Sequence, residues 1–331
     1  MYRMRVLNAA QVGSLVSMAD AVDCVERAYR LYSDGQASLW PTIYHDFEAG
    51  RRDMDIKSGH MEGAGLFGLK VVSWVADNPL LRGLPALAGL VLVMSSERGV
   101  PLGIVDGMAL TNLRTGAAGA LGARTLARRD SRRALIAGAG AQGRAQLEGL
   151  VEVLPELKEV AVTSPDERMN GLYVEEMRSR FPRLLLSVAP WGALAEAVSE
   201  ADVVVTCTPA REPFIDADWV RPGTHVNAIG ADSKDKGELD EALAARASLF
   251  VDSRAQTLDH GEVRRAFERG LIGPDAVTEI GAVLLGRAAG RRSDDDVTLF
   301  DSTGMALQDI VTADLALRRA EERGVGVVVD M

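Results

Sequence analysis

Over residues 19–34 the apolar positions Val22, Val25, Ala28, Tyr29 and Tyr32 recur at helical spacing, and Gly35 supplies a stop. From about residue 38 to 107 the pattern changes to short apolar runs, Leu66–Val75, Leu87–Met94 and Leu102–Val105, punctuated by Asn78-Pro79, Gly83-Leu84-Pro85 and Arg98-Gly99. Such runs between turn residues predict a largely antiparallel sheet. Residues 111–128 are rich in Gly and Ala and predict a helix that packs tightly between domains. Then strand-like runs at Ala134–Ala137, Glu159–Thr163, Val203–Cys207, His225–Ile229 and Ser248–Val251 alternate with helical stretches at Ala141–Leu154, Asp166–Arg180 and Leu194–Glu200. Strands alternating with helices predict an α/β fold with a doubly wound parallel sheet. A last long helix is expected from near Met305 through Ala313–Glu322, crossing back to the first domain. The expected organisation is an α+β domain from residues 1–123 and 305–331, and an α/β domain over 124–304.

At 331 residues, two domains are the expected number. Hydrophobic residues at 47% and charged residues at 25% exclude global disorder. A net charge of −10 makes nucleic acid and anionic membrane poor partners. The longest uninterrupted apolar stretches, such as the one containing Ala88–Met94, are far shorter than the ~20 residues of a membrane helix. The N-terminal residues read as no signal peptide. Two cysteines, Cys24 and Cys207, give no disulfide framework, and the four histidines have no metal-ligand spacing, so no metal is expected. A reducing cytoplasm is the expected location.

The sharpest chemical signal is Gly138-Ala139-Gly140-Ala141-Gln142-Gly143, directly after the run Arg133–Ala137 and at the start of a predicted helix. This is the Rossmann-type dinucleotide fingerprint in its proper context. Gly138 permits the tight turn, Gly140 the approach of a pyrophosphate, and Gly143 close helix–strand packing. Ala141 and Gln142 open the helix whose free N–H groups face the phosphates. The ribose reader is expected about 20 residues on, at Ser164, Asp166 and Arg168. Ser164 does not repel a 2′-phosphate, Asp166 suits a 2′-hydroxyl and Arg168 a phosphate, so NAD and NADP both stay open. Asp166 and Arg168 also read simply as the first residues of a helix. At the end of the run Val203–Cys207, Thr208 and Pro209 are expected on the nicotinamide side, with Cys207 a core thiol.

Beyond the fingerprint, ordered blocks span nearly the whole chain: Gly68–Val72, Asp77-Asn78-Pro79, Gly103–Gly107, Leu110–Ala118, Val226–Asp232, Glu238-Leu239-Asp240, Gly261-Glu262 and Thr298–Gly304. In these the chain resembles the ornithine cyclodeaminase/mu-crystallin family, which also holds archaeal-type alanine dehydrogenases and imine reductases. The resemblance implies NAD(P) as cofactor and a homodimer paired through the N-terminal sheet. It implies that Lys70 holds the substrate carboxylate beside the nicotinamide, and that Arg114 clamps the same carboxylate. A lone lysine inside the apolar run Leu66–Val75 needs an anionic partner, which favours a functional reading over a solvated one. A guanidinium forks onto a carboxylate bidentately. Thr115, and the N-terminal turn it opens, resemble a second phosphate contact. Asp232 matches the aspartate that binds the substrate amine and moves protons; a turn aspartate is the plainer alternative. Asp55 aligns with an acid near the substrate, and residues around Thr303-Gly304 are expected to line the pocket.

The chain departs from the family pattern at Trp40-Pro41-Thr42, where many members carry an arginine soon after the proline. Lys57, in Lys57-Ser58-Gly59-His60, is expected to supply the missing cation, with His60 beside it. Taken together, the expected activity is interconversion of an α-amino acid and its α-imino acid by hydride transfer, with Lys70 and Asp232 as catalytic residues. A cyclodeaminase with recycled cofactor is the alternative within the family. A non-catalytic crystallin-like binding protein is the alternative from another class.

Overall fold

The computed structural model describes residues 2–48 and 50–331. The chain divides into two compact units, Met1–Arg114 with Met305–Met331, and Thr115–Gly304.

The first unit is a mixed sheet packed under helices. Its strands are β1 (Arg3–Leu7), β2 (Ala37–Leu39), β3 (Ile43–Glu48), β4 (Arg52–Met61), β5 (Leu66–Val75), β6 (Leu87–Ser95) and β7 (Pro101–Asp106), with a C-terminal strand Val327–Asp330. The order is C-terminal strand, β1, β7, β6, β5, β4, β2, with β3 on β4. Pairing is antiparallel except where β1 runs parallel to β7. The expected antiparallel runs at 66–75, 87–94 and 102–105 are β5, β6 and β7.

Side chains at Leu66, Gly68, Lys70 and Val72 are buried while their neighbours in β5 are half-exposed, the period-2 pattern of a sheet with one covered face. That face lies under the C-terminal helix, Ala306–Arg323. Gly68 and Gly103 leave room for it: a Cβ on Gly68 would stand 3.2 Å from Ile310, and one on Gly103 2.4 Å from Leu317. Helix α1 (Ala9–Leu15) and helix α2 (Met18–Ser33) complete the cover. Helix α2 starts from a capping box between Ser17 and Asp20 and buries Val22, Val25, Ala28 and Tyr29.

Helix α3 (Asn78–Arg82) is a single turn between β5 and β6. Helix α4 spans Gly107–Leu126 and so begins four residues before the expected start at 111. Asp106 accepts the N–H groups of Met108 and Ala109 there, an N-terminal cap that hydropathy does not reveal.

The second unit is an all-parallel sheet of β8 (Arg133–Ala137), β9 (Glu159–Thr163), β10 (Leu185–Val188), β11 (Val203–Thr206), β12 (His225–Ala228), β13 (Ser248–Val251), β14 (Val277–Glu279) and β15 (Thr298–Asp301). Its order is β10-β9-β8-β11-β12-β15-β13-β14. The chain winds outward from β8 to β9 on one side and to β11 on the other, so the topological switch point lies at β8. Helices α5 (Ala141–Val153), α6 (Glu167–Arg180) and α7 (Leu194–Glu200) are the expected crossovers. The small residues of α4 serve its packing on α5 inside this unit: a Cβ on Gly116 would meet the Ala145 carbonyl at 2.5 Å, and one on Gly149 the Gly116 carbonyl at 2.6 Å. The described residues contain no helix long and apolar enough to cross a membrane.

Candidate active site

In the first unit, strand register brings the predicted cations together. Lys57 of β4 stands directly opposite Lys70 of β5, and Asp55 opposite Val72, so Asp55, Lys57 and Lys70 share the face under the C-terminal helix. His60 pairs with Phe67 and lies three residues from Lys57, an odd spacing that turns it to the other face. The expected placement of His60 beside Lys57 is therefore corrected by strand parity. Arg51 and Arg52 pair with Glu48, and Arg51 also with Asp77.

Lys70 and Arg114 are buried, at 4% and 5% exposure. Between them stands Asp309 of the C-terminal helix, fully buried, 3.3 Å from the Lys70 Nζ and accepting the Arg114 Nε–H at 3.0 Å. Gln308 accepts a bond from Arg114 at 3.2 Å and donates to the buried Tyr29 hydroxyl at 2.8 Å. Its Oε1 also accepts the Met305 N–H at 2.8 Å. Burial, followed by the neighbouring Arg114 guanidinium, pushes the Lys70 ammonium down to about 8, with Asp309 opposing. Burial would raise the Asp309 carboxyl, but Arg114 and Lys70 outweigh it and hold the group below its ordinary range. Lys70 and Arg114 against Asp309 leave one positive charge in a dry place, and the half-buried Asp55 and Lys57 add one charge of each sign. A buried surplus cation is stable only with an anion.

Asp309, Gln308 and Tyr29 were not among the residues expected from sequence. The signal for Asp309 was available: it is an acid inside the largely apolar run Met305–Ala313, the same anomaly that singles out Lys70.

In the second unit, the glycine loop takes the expected form. Gly138 has φ +132°, where a side chain is strained, and its N–H donates to the Thr163 carbonyl at 2.9 Å. A Cβ on Gly143 would stand 1.9 Å from the Gly138 carbonyl. A Cβ on Gly140 would meet nothing within 4 Å. The fold itself therefore does not need glycine at 140, whereas a diphosphate lying on the N-terminus of α5 would. Ala141 and Gln142 open α5, as expected. Arg144 ties the loop to the helix by donating to the Ala139 carbonyl at 2.7 Å, and its guanidinium also bonds Glu176.

At the tip of β9, the Ser164 hydroxyl bonds Asn170, and Asp166 caps α6 by accepting the Met169 N–H at 3.1 Å. Arg168 lies in the first turn of α6. Cys207 packs on the glycine turn, 2.7 Å from where a Gly138 Cβ would be, and burial raises its thiol well above the ordinary range. Pro209 follows Thr208 at the end of β11. Thr115 lies in the middle of α4, eight residues after its start, so it opens no N-terminal turn. The expected N-terminal turn at Thr115 is therefore corrected, because Asp106 caps the helix far upstream.

Asp232 follows β12 and is exposed, paired with Lys236 at 2.6 Å. Gly304 has φ +80°, and its N–H donates to the buried Asp252 at 2.7 Å. A residue outside the expected set stands behind Asp232. Glu238 is fully buried and accepts from the Thr208 N–H and hydroxyl, both at 2.7 Å, and from the Gly230 N–H at 3.0 Å. Burial, then the Glu262 carboxylate, push Glu238 up to about 7.

The first unit thus holds a buried basic cluster and the second a glycine-rich strand-to-helix turn. The model of the ornithine cyclodeaminase/mu-crystallin family matches residues 3–324. The chain belongs to the ornithine cyclodeaminase/mu-crystallin family. Among members of that family, an alanine dehydrogenase of Archaeoglobus fulgidus is 39% identical over 97% of this chain and 96% of its own. A solved archaeal alanine dehydrogenase, described as a dimer with bound NAD, superposes with a TM-score of 0.92 at 38% identity over 100% of both chains. The Thermococcus litoralis Δ1-pyrroline-2-carboxylate reductase, solved with NADH and L-proline, gives 0.92 at 30% identity, over 98% of this chain and 99% of that one. As an ornithine cyclodeaminase/mu-crystallin family member, the chain has the family's mixed α/β architecture with a Rossmann-like parallel sheet.

Proposed function

We propose that this chain is an NAD(P)-dependent oxidoreductase that interconverts an α-amino acid and its α-imino acid by hydride transfer. The observation that carries this reading is the surplus positive charge buried at Lys70, Arg114 and Asp309. It asks for one anion, and the carboxylate common to amino and imino acids supplies it. The relatives are named for alanine and pyrroline-2-carboxylate chemistry, which fits the same anion.

Under this reading residues 1–123 and 305–331 bind substrate, and 124–304 bind the cofactor. Gly138, Gly140, Gly143 and the N-terminus of α5 hold the diphosphate, with Ser164, Asp166 or Arg168 at the ribose. Thr208 and Pro209 flank the nicotinamide end. NAD(P), when bound, supplies the hydride acceptor or donor. Lys70 and Arg114 bind the carboxylate, Lys57 adds a third cation, and Asp55 sets their charge balance. Together they orient Cα. Asp232 holds the nitrogen and its proton, releasing Lys236 as the substrate cation arrives; a carboxylate there stabilises the iminium charge. Gly304 borders the pocket. The free thiols Cys24 and Cys207 and the soluble cofactor fit a cytoplasmic enzyme.

The test is a cofactor-oxidation screen with Δ1-pyrroline-2-carboxylate, and with pyruvate plus ammonia or methylamine, run in reverse with L-proline and L-alanine. Turnover of NADH or NADPH with one of these is expected. Conversion of ornithine to proline and ammonia without net cofactor change would replace this reading by cyclodeamination. Ligand binding with no turnover would replace it by a binding protein.

A further inference from the structure

The buried Glu238–Glu262 pair has no place in the chemistry described so far. Glu238 is held from both sides. Its own N–H and that of Leu239 donate to Glu262 at 2.7–3.1 Å, and its carbonyl accepts from Phe214 and Ile215. Its backbone is therefore a fixed post. From that post the side chain reaches two loops at once, at the carboxyl ends of adjacent strands: Thr208 after β11 and Gly230 after β12. Gly230 fits against it so closely that a Cβ there would stand 2.4 Å from both Glu238 Oε2 and the Thr208 carbonyl.

We propose that Glu238 is a positioning residue for the reaction, clamping the loop that carries Asp232 to the loop at Thr208. The proposal rests on the reading of Asp232 given above. Three donors converge on the carboxylate, two of them backbone N–H groups that can only donate, so the ionised form accepts all three best. A proton on Oε2 competes with the Gly230 N–H, and a proton on Oε1 competes with the Thr208 N–H. Losing the first frees the backbone two residues before Asp232.

The charged surroundings make this proton relevant near neutral pH. Glu262 faces Glu238 as a like charge, and the Thr208 hydroxyl faces it as a donor. Lys236 from its own loop and the Cys207 thiol from β11 also face it. Glu262 in turn feels Arg264 and Arg265 from the following helix, and Asp301 of β15. Burial and Glu262 together bring Glu238 to about 7, so the clamp closes as pH rises through that value and opens below it.

The experiment is amide hydrogen exchange of the intact chain between pH 6 and pH 9, corrected for intrinsic rates, read at the segment Ile229–Asp232. Protection is expected to rise at least tenfold with a midpoint near 7. Glu238→Gln, whose amide must aim its NH2 at one of the donors, should stay unprotected across the range. Glu262→Gln removes the like charge and should move the wild-type midpoint to lower pH, which a passive structural role would not do. With Δ1-pyrroline-2-carboxylate and NADH, kcat of Glu238→Gln should fall about tenfold and lose its dependence on pH around 7, with KM for NADH unchanged. Protection that is independent of pH in the wild type, or a Glu238→Gln profile like the wild type, overturns the proposal. Full activity in Asp232→Asn alone would overturn the reading of Asp232 and leave the exchange result standing.

Discussion

Lys70 and Lys57 face each other across β4 and β5 with Asp309 behind, and each makes a distinct prediction. A lysine is a point charge with less directionality than an arginine, so Lys57→Met should raise KM for a carboxylate substrate by roughly ten- to a hundredfold, with a smaller fall in kcat. A change in kcat/KM of less than about twofold would remove Lys57 from the site. Lys70, lowered to about 8, holds its charge below that pH and loses it above. KM for the carboxylate should therefore climb between pH 8 and pH 9.5 in steady-state assays, and Lys70→Arg, always charged, should abolish the climb. Asp309→Asn leaves Lys70 and Arg114 buried without a counter-charge, which costs about 3–5 kcal/mol and should appear as a lowered urea midpoint. An unchanged midpoint would mean that water already reaches the cluster. Lys70 and Arg114 were legible because a charge in an apolar run, and an arginine in a family block, are local signals. Asp309 carries the same local signal as Lys70, but it lies outside the family blocks, and nothing local names its partners, 239 and 195 residues away. The error over His60 came from reading neighbours in sequence as neighbours in space, where a strand alternates its faces.

At the scale of elements, β5, β6 and β7 were legible because they are apolar on the covered face and bounded by turns. Strands β3 and β4 were not, because β3 is exposed along most of its length and β4 carries Arg52, Asp53, Asp55 and Lys57, so hydropathy shows no run. The C-terminal strand was missed although Val327-Val328-Val329 is a β-branched run, because it is only four residues long and follows the last helix directly. The C-terminal helix was found by its length, yet it is far more deeply buried than an ordinary surface helix. It is joined to α2 by Arg319, which donates to both oxygens of Asp20 at 2.6 and 2.7 Å. The Arg319 bond, aided by the Ser17 cap and against the smaller effect of burial, holds Asp20 well below the carboxylate range. A depressed acid contributes stability above its unfolded value near 3.8 and loses it as pH falls below that. Asp20→Asn should lower Tm at pH 7 by the equivalent of about 1 kcal/mol, and the gap from wild type should narrow toward pH 2 in a calorimetric series. A gap that stays constant with pH would show that the loss is packing and not charge.

For the whole molecule, the outer face of the first unit's sheet exposes Trp40, Ile43, Phe47 and Leu90, more apolar surface on one sheet than a lone unit keeps in water. We expect a homodimer paired on that sheet, read by light scattering as twice the 35.4 kDa chain mass, and a monomer at micromolar concentration would rule it out. Five strands of the second unit's sheet, β8, β9, β11, β12 and β13, were legible, since alternation of strand and helix is a long-range regularity; β10, β14 and β15, each of only three or four residues, were not. The closure of the first sheet by β1 and the C-terminal strand was not, because the pairing joins the two ends of the chain and no local pattern reports it. That closure sets an order of assembly. A ribosome delivers residues 115–304 as one uninterrupted stretch, able to fold while the rest is still being made. The first unit must wait with an open sheet edge, and with Lys70 and Arg114 lacking their counter-charge, until the helix carrying Asp309 emerges. On the proposed reading, a chain ending before the helix Ala306–Arg323 would therefore keep the parallel-sheet unit that holds the glycine turn and lose the counter-charge that completes the Lys70–Arg114 cluster.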